Sequence, residues 1–222
     1  MSVHHRLRMS AVGGGGAAPS FIGVATGSGS SSANVTPHAS TASGDLLVAV
    51  VQSLDSDASN TVTWPSGFTQ IFNKTNNAGA AYFGVAVAVK VATGSEGSLS
   101  FTFNGFTDAG VSIITSRGQR ASSPVAAYGS IVTTGFFVSS IAPTSISPGK
   151  AALLLGFAAG QDAAATWTAP GSMTEIYDFD SGRSGGNRCT AAYEEVPLGA
   201  TGERTFTFSK SDTLGGILVA VE

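Results

Sequence analysis

The sequence predicts an all-β protein: a jelly-roll-like antiparallel β-sandwich carrying an internal pseudo-twofold duplication. Three observations predict it. From residue 20 onward the chain is a series of short apolar or alternating runs broken by Gly, Pro, Asn, Asp and Ser. No stretch offers a capped 3.6-residue period. A set of ordered landmarks also recurs about 105 residues further on.

In chain order the runs predict strands at 20–26, 33–37, 45–53, 60–64, 68–73, 80–92, 98–104 and 109–117. The series continues at 125–133, 136–142, 151–159, 164–168, 173–179, 187–196, 203–209 and 214–221. Between Ala80 and Ala92 the residues Val85, Val87, Val89 and Val91 fall on one face, a period of two. Phe101-Thr102-Phe103 and Phe206-Thr207-Phe208 alternate in the same way. Leu46 to Val51 and Ala151 to Phe157 are continuously apolar, the pattern of central strands buried on both faces. Leu153-Leu154-Leu155 would also suit a helix, but the glycines around it argue for a strand.

Ahead of these strands, residues 1–19 form a Gly-rich arm containing Gly13-Gly14-Gly15-Gly16. Such a segment gains order only by docking on something else. It lacks the preceding strand and the Gly-Lys-Ser/Thr ending of a phosphate loop, so it reads as a tether. His4, His5, Arg6 and Arg8 supply charge, but no apolar run follows, so the sequence reads as having no secretory leader.

The duplication is specific. Ser43 to Val48 corresponds to Pro148 to Leu153, and Thr63-Trp64-Pro65-Ser66-Gly67-Phe68 to Thr168-Ala169-Pro170-Gly171-Ser172-Met173. Ala92-Thr93-Gly94 recurs as Ala200-Thr201-Gly202, Pro37 as Pro143, and Gly110 to Thr115 resembles Gly216 to Val221. Each Pro-Gly element is a turn, and the Phe or Met after it plugs the end of a sandwich. The sandwich thus spans 20–222, with half-repeats at about 20–118 and 125–222. The halves form either two separate sandwiches or one intertwined body. The join favours the intertwined form, because Val125, Ile131, Val132, Phe136 and Phe137 make it apolar rather than linker-like.

Composition narrows the function. Only 11% of residues are charged, against roughly 25% in ordinary globular chains. Gly, Ala, Ser and Thr take their place and make a neutral, hydroxyl-rich surface. The net charge is −3, and the scattered basic residues form no stripe for a phosphate backbone, which argues against nucleic acid. No run approaches the ~20 apolar residues of a membrane span. The single cysteine, Cys189, permits no internal disulfide. It reads as a half-buried strand residue, with an intersubunit disulfide or reactive thiol as the sharper alternative.

Several chemistries need residues that the sequence does not supply in the right places. The three histidines, His4, His5 and His38, all lie in the first 38 residues. A Ser-His-Asp triad would rest on His38, and there is no Gly-x-Ser-x-Gly elbow. Glycoside hydrolysis needs two facing carboxylates from Glu175, Asp178, Asp180, Glu194 and Glu195. Neighbouring Glu194 and Glu195 point to opposite faces of a strand, which leaves Glu175 with Glu194 as the one pairing to test. Asp55-Ser56-Asp57 and Asp178 to Gly182 resemble pieces of calcium loops, but position twelve from Asp178 is Cys189 rather than Glu. Turn chemistry accounts for these aspartates. The reading is no enzyme, no metal and no cofactor. Trp64 and Trp167 are the candidate ligand-facing aromatics, although a place beside the Pro-Gly turns suits core residues as well. Asn34-Val35-Thr36 and Asn73-Lys74-Thr75 match glycosylation sequons.

One pattern resembles a known family. A Gly44-Asp45-Leu46-Leu47 strand is followed by Trp64-Pro65-Ser66-Gly67-Phe68-Thr69. An alternating strand then ends in Val91-Ala92-Thr93-Gly94-Ser95-Glu96, and Phe101-Thr102-Phe103 and a degenerate second copy complete the pattern. It looks like a β-sandwich family of tailed phages and prophages, found among capsid decoration, tail and fibre proteins. The resemblance covers residues 20–222. It implies a virion structural protein assembled in the host cytoplasm, contacting capsid or tail subunits and forming a homo-oligomer. Capsid decoration or cement is the first expectation, with a tail, collar or fibre component able to bind a receptor or host-surface glycan as the alternative. The arm lies outside the resemblance, so His4, His5, Arg6, Leu7, Arg8 and Met9 are the expected partner-binding residues.

Overall fold

The computed structural model describes residues 17–77, 82–135, 137–162, 164–181 and 186–222, and these are all-β. The first half contributes β1 (Ser20–Gly29), β2 (Ser32–Val35), β3 (Leu46–Thr63), β4 (Thr69–Asn77), β5 (Tyr82–Val91), β6 (Leu99–Thr107) and β7 (Ala109–Arg117). The second contributes β8 (Val125–Tyr128), β9 (Val132–Thr133), β10 (Val138–Ile141), β11 (Ala152–Gly160) and β12 (Trp167–Thr168). It ends with β13 (Thr174–Asp180), β14 (Arg188–Val196), β15 (Phe206–Asp212) and β16 (Leu214–Val221).

Each half builds a larger and a smaller sheet in the same order. In the first, the larger sheet runs β1-β7-β3-β5-β4, while β2 and the far part of β3 flank β6. In the second, β8 and β9 lie beside β16 and the sheet continues β11-β14-β13, while β10 and β12 flank β15. The long β3 does alone what β11 and β12 do together: its register breaks between Ser56 and Thr61, and it passes from one sheet to the other. The sequence pattern predicts two strands here, at 45–53 and 60–64, and a single strand at 125–133 where the structure has β8 and β9. All pairings are antiparallel. In the eight-stranded jelly-roll order the strand after β3's far part would stay in the smaller sheet. Here β4 pairs instead with β5 in the larger one.

The preferred intertwined arrangement is not what the strands do. Among the described residues every sheet takes its strands from one half only. The apolar join misled because its strands only edge the second half's sheet, beside β16, while Val125 and Ile131 pack on the core between the halves. Phe137 instead stands 84% exposed, with φ of 65°.

The two larger sheets pack face to face, so the body has four layers and three cores. Leu47, Ala49, Val51, Phe101, Phe103 and Ile113 fill the first half's interior. Leu154, Trp167, Phe206, Phe208 and Leu218 fill the second's. Between them, Val48, Val50, Val85 and Val87 meet Leu153, Leu155, Phe157 and Val219. This is why Leu46–Val51 and β11 read as continuously apolar: alternate side chains enter different cores, and neither face meets water.

The repeat is visible in the registers. Both larger sheets carry an irregularity at matching places, between Gln70 and Phe72 and between Glu175 and Tyr177. The match of the last strands needs correction by one residue. Ile114 pairs with Val48, and Val221 pairs with Leu153, the counterpart of Val48. The counterpart of Ile114 is therefore Val221, not Ala220. A one-residue slip exchanges the faces, and Ala220 indeed belongs to the second half's own core.

Candidate functional site

Most of the charged groups singled out above hold the body together. Asp178 accepts Arg188 Nε–H at 2.6 Å and the Trp167 backbone N–H at 3.0 Å. Glu175 and Glu194 do lie on one face of the β13–β14 pair, since Glu175 faces Ala192. Glu194 accepts Arg204 Nε–H at 2.5 Å. Burial, then the charge of Asp178, holds the Glu175 carboxyl above its ordinary value, against an opposing pull from Arg188. Among the described residues no group of three His, Cys, Asp or Glu side chains converges.

His38 is fixed by local packing. Its ring covers Gly23, where a Cβ would come within 2.4 Å, and Nδ1 accepts the Ser40 N–H at 3.2 Å. Glu96, the last residue of the family-like pattern, closes its own turn. Its carboxylate accepts the Thr93 N–H, the Thr93 hydroxyl and the Gly94 N–H, at 2.5, 2.9 and 3.1 Å. Burial opposes ionisation of Glu96, but these bonds outweigh it and bring the pKa to about 2.

Trp167 does not face a ligand. It is 4% exposed, packs on Phe206 and Phe208, and donates Nε1–H to the Arg188 carbonyl at 3.0 Å. The register explains its burial: Trp167 pairs with Phe208 as Val62 pairs with Phe103, so it is the counterpart of Val62 and not of Trp64. Trp64 is half-buried at the sandwich end against Phe68 and Phe101, with Nε1–H given to Gln70. Both Pro-Gly turns close as expected, Phe68 N–H to the Pro65 carbonyl and Met173 N–H to that of Pro170. His4, His5, Arg6, Leu7, Arg8 and Met9 lie outside the described residues, as does Gly182, and nothing is placed for the side chains of Asp55 and Ser56.

No protein-family model, curated protein or solved structure matches the chain. The site must therefore be read from its own geometry, and the geometry points to the seam between the larger sheets.

The interior of the seam is a polar lock. Asn187 accepts the Leu54 N–H at 2.9 Å, and its Nδ2 donates to Ser53 Oγ and to the Asp108 carbonyl. Ser112 and Tyr177 hydroxyls meet at 3.1 Å. Cys189 is fully buried against Gly110, its thiol 3.9 Å from the Gln52 carbonyl, and burial pushes its pKa to about 12. A thiol so placed has no thiolate near neutral pH and no access to a partner. The sequence marked none of Gln52, Asn187 or Gly215 as seam residues. The paired glycines Gly215-Gly216 inside an apolar strand were the available signal, since Gly in a strand marks a close approach.

The outer ends of the seam are grooves. On one flank Lys74 reaches across, donating to the Gly129 carbonyl and lying 4.6 Å from the Tyr128 ring centre. Another groove, of about 380 Å³, is lined by Leu46, Thr69, Val89, Val91, Arg120 and Pro124. It joins the first half to the segment entering β8, and Val91 on its rim is 57% exposed.

Proposed function

We propose that this protein is a non-enzymatic structural component of a phage-like particle, a capsid decoration or cement protein anchored by its N-terminal arm. One observation carries the reading: the residues of the family-like pattern make turns and cores. Asp45 pairs with Arg117 and accepts the Ala42 N–H, Glu96 closes its turn, and Phe101 and Phe103 fill the first core. A pattern of this kind specifies a rigid body and leaves its function to surface contacts. The four-layer stack suits that work, since a stiff body that binds only the assembled shell stabilises it by mass action. The arm contributes by gaining order on docking.

Deletion of residues 1–18 tests the reading. The truncated protein should keep its circular dichroism and melting temperature but fail to enter particles. Normal incorporation would count against the proposal. A tail, collar or fibre role with glycan binding remains the second reading. It rests on Trp64, whose ring is half-exposed at the sandwich end. A glycan titration that shifts Trp64 fluorescence would favour it.

A further inference from the structure

The seam is closed unevenly. On one flank Phe21, at the start of β1, stacks on Tyr193 of β14 with ring centres 4.5 Å apart. Tyr193 pairs with Thr174 as Val89 pairs with Thr69, so the pseudo-twofold carries this contact onto β5 at Val89 and the residues leading into β8. Arg120, Ala121 and Pro124 stand there, with no aromatic ring among them, and the place is the 380 Å³ groove. The chain itself thus shows what fits such a position: one aromatic side chain laid on the sheet.

We propose that this groove docks an aromatic side chain flanked by carboxylates, presented by a segment of a partner protein. Leu46 and Val89 give the apolar floor, and Val91 extends it to the rim. Arg120 lies beside it, with its side chain 41% exposed. Lys90 leaves the opposite face of β5 from Val89 and Val91, its stem over Gly67 and its ammonium 3.6 Å from Glu96. Arg120 donates from Nη1 to Glu222 at 2.8 Å, while Glu222 also accepts the Gly149 and Lys150 N–H groups. The guanidinium therefore shares its carboxylate with other donors, and N–H groups remain at the rim for an incoming acid. The same charge disfavours the chain's own arm, which carries Arg6 and Arg8. The proposal concerns the isolated protein and stands apart from where that protein works.

The test titrates two capped peptides, Asp-Phe-Asp and Lys-Phe-Lys, into the full-length protein and follows backbone amides by NMR. Asp-Phe-Asp should shift Leu46, Gly67, Val91 and Ala121 and bind about tenfold more tightly than Lys-Phe-Lys. Ala121→Phe, which places a ring in the groove, should remove binding. Val91→Asp, at an exposed position, should reverse the preference and guards against a folding defect in the first variant. Equal affinity for the two peptides, shifts elsewhere on the surface, or unchanged binding by Val91→Asp would each overturn the proposal.

Discussion

The side-chain carbonyl of Asn187 accepts the backbone N–H of Leu54 at 2.9 Å, a bond between residues far apart in sequence that ties the two halves at one end of the seam. The group is buried, so removing the acceptor leaves a donor with no water to replace it. Asn187→Ala should lower unfolding free energy by about 1–3 kcal/mol, read as a fall in urea midpoint at unchanged slope. Loss of less than Ser112→Ala, which removes only the contact with Tyr177, would show the amide to be dispensable.

Gly215 and Phe83 are a matched pair across the same seam. A Cβ on Gly215 would lie 2.2 Å from Phe83 Cγ. Gly215→Ala should therefore overpack the site and cost about 1–3 kcal/mol. Phe83→Ala should cost about 3–5 kcal/mol through the cavity it leaves. In the double variant the new methyl enters that cavity, so the combined loss should fall short of the sum. Additive losses in a denaturation cycle would mean that the two residues do not meet.

The strands were legible because apolar and alternating runs report burial directly, and the duplication because turns and aromatic pairs keep their spacing. The stacking of the halves was not. An apolar join such as Val125 and Ile131 looks the same whether it links intertwined sheets or edges a separate one. Continuous runs such as Leu46 to Val51 announced burial on both faces without saying what covers the second face. The repeat spacing that sets Trp64 against Ala169 already places Trp167 opposite Val62, and the ladder register agrees.

The two tryptophans should differ in solution. Trp167, 4% exposed, should emit at short wavelength and resist acrylamide, while half-buried Trp64 should be quenched. Trp167→Ala should cost about 3–5 kcal/mol and Trp64→Ala markedly less. Quenching of both in the native protein would contradict the buried place of Trp167.

Stability should fall at both ends of the pH range, for opposite reasons. Glu96 has a folded pKa of about 2 against an ordinary 4.5. Its contribution is complete above the ordinary value and is lost as pH falls through the folded one, because the unfolded chain takes up the proton first. Glu96→Gln should flatten the stability profile between those two values. Cys189 shifts upward, to about 12 from an ordinary 9.0, because burial penalises the thiolate. Here the unfolded chain loses its proton first, so stability should decline as pH rises above 9.0 and go on declining to about 12. Cys189→Ala should remove the decline that begins at 9.0 and leave the part above 10.0 that comes from the Tyr177 phenol, which burial also pushes up, while adding a small constant loss for the vacated space beside Gly110. The same burial keeps the native thiol silent to a thiol reagent at pH 8, with full reaction only after unfolding. Rapid labelling of the folded protein at that pH would show that the seam opens and that Cys189 is not sealed within it.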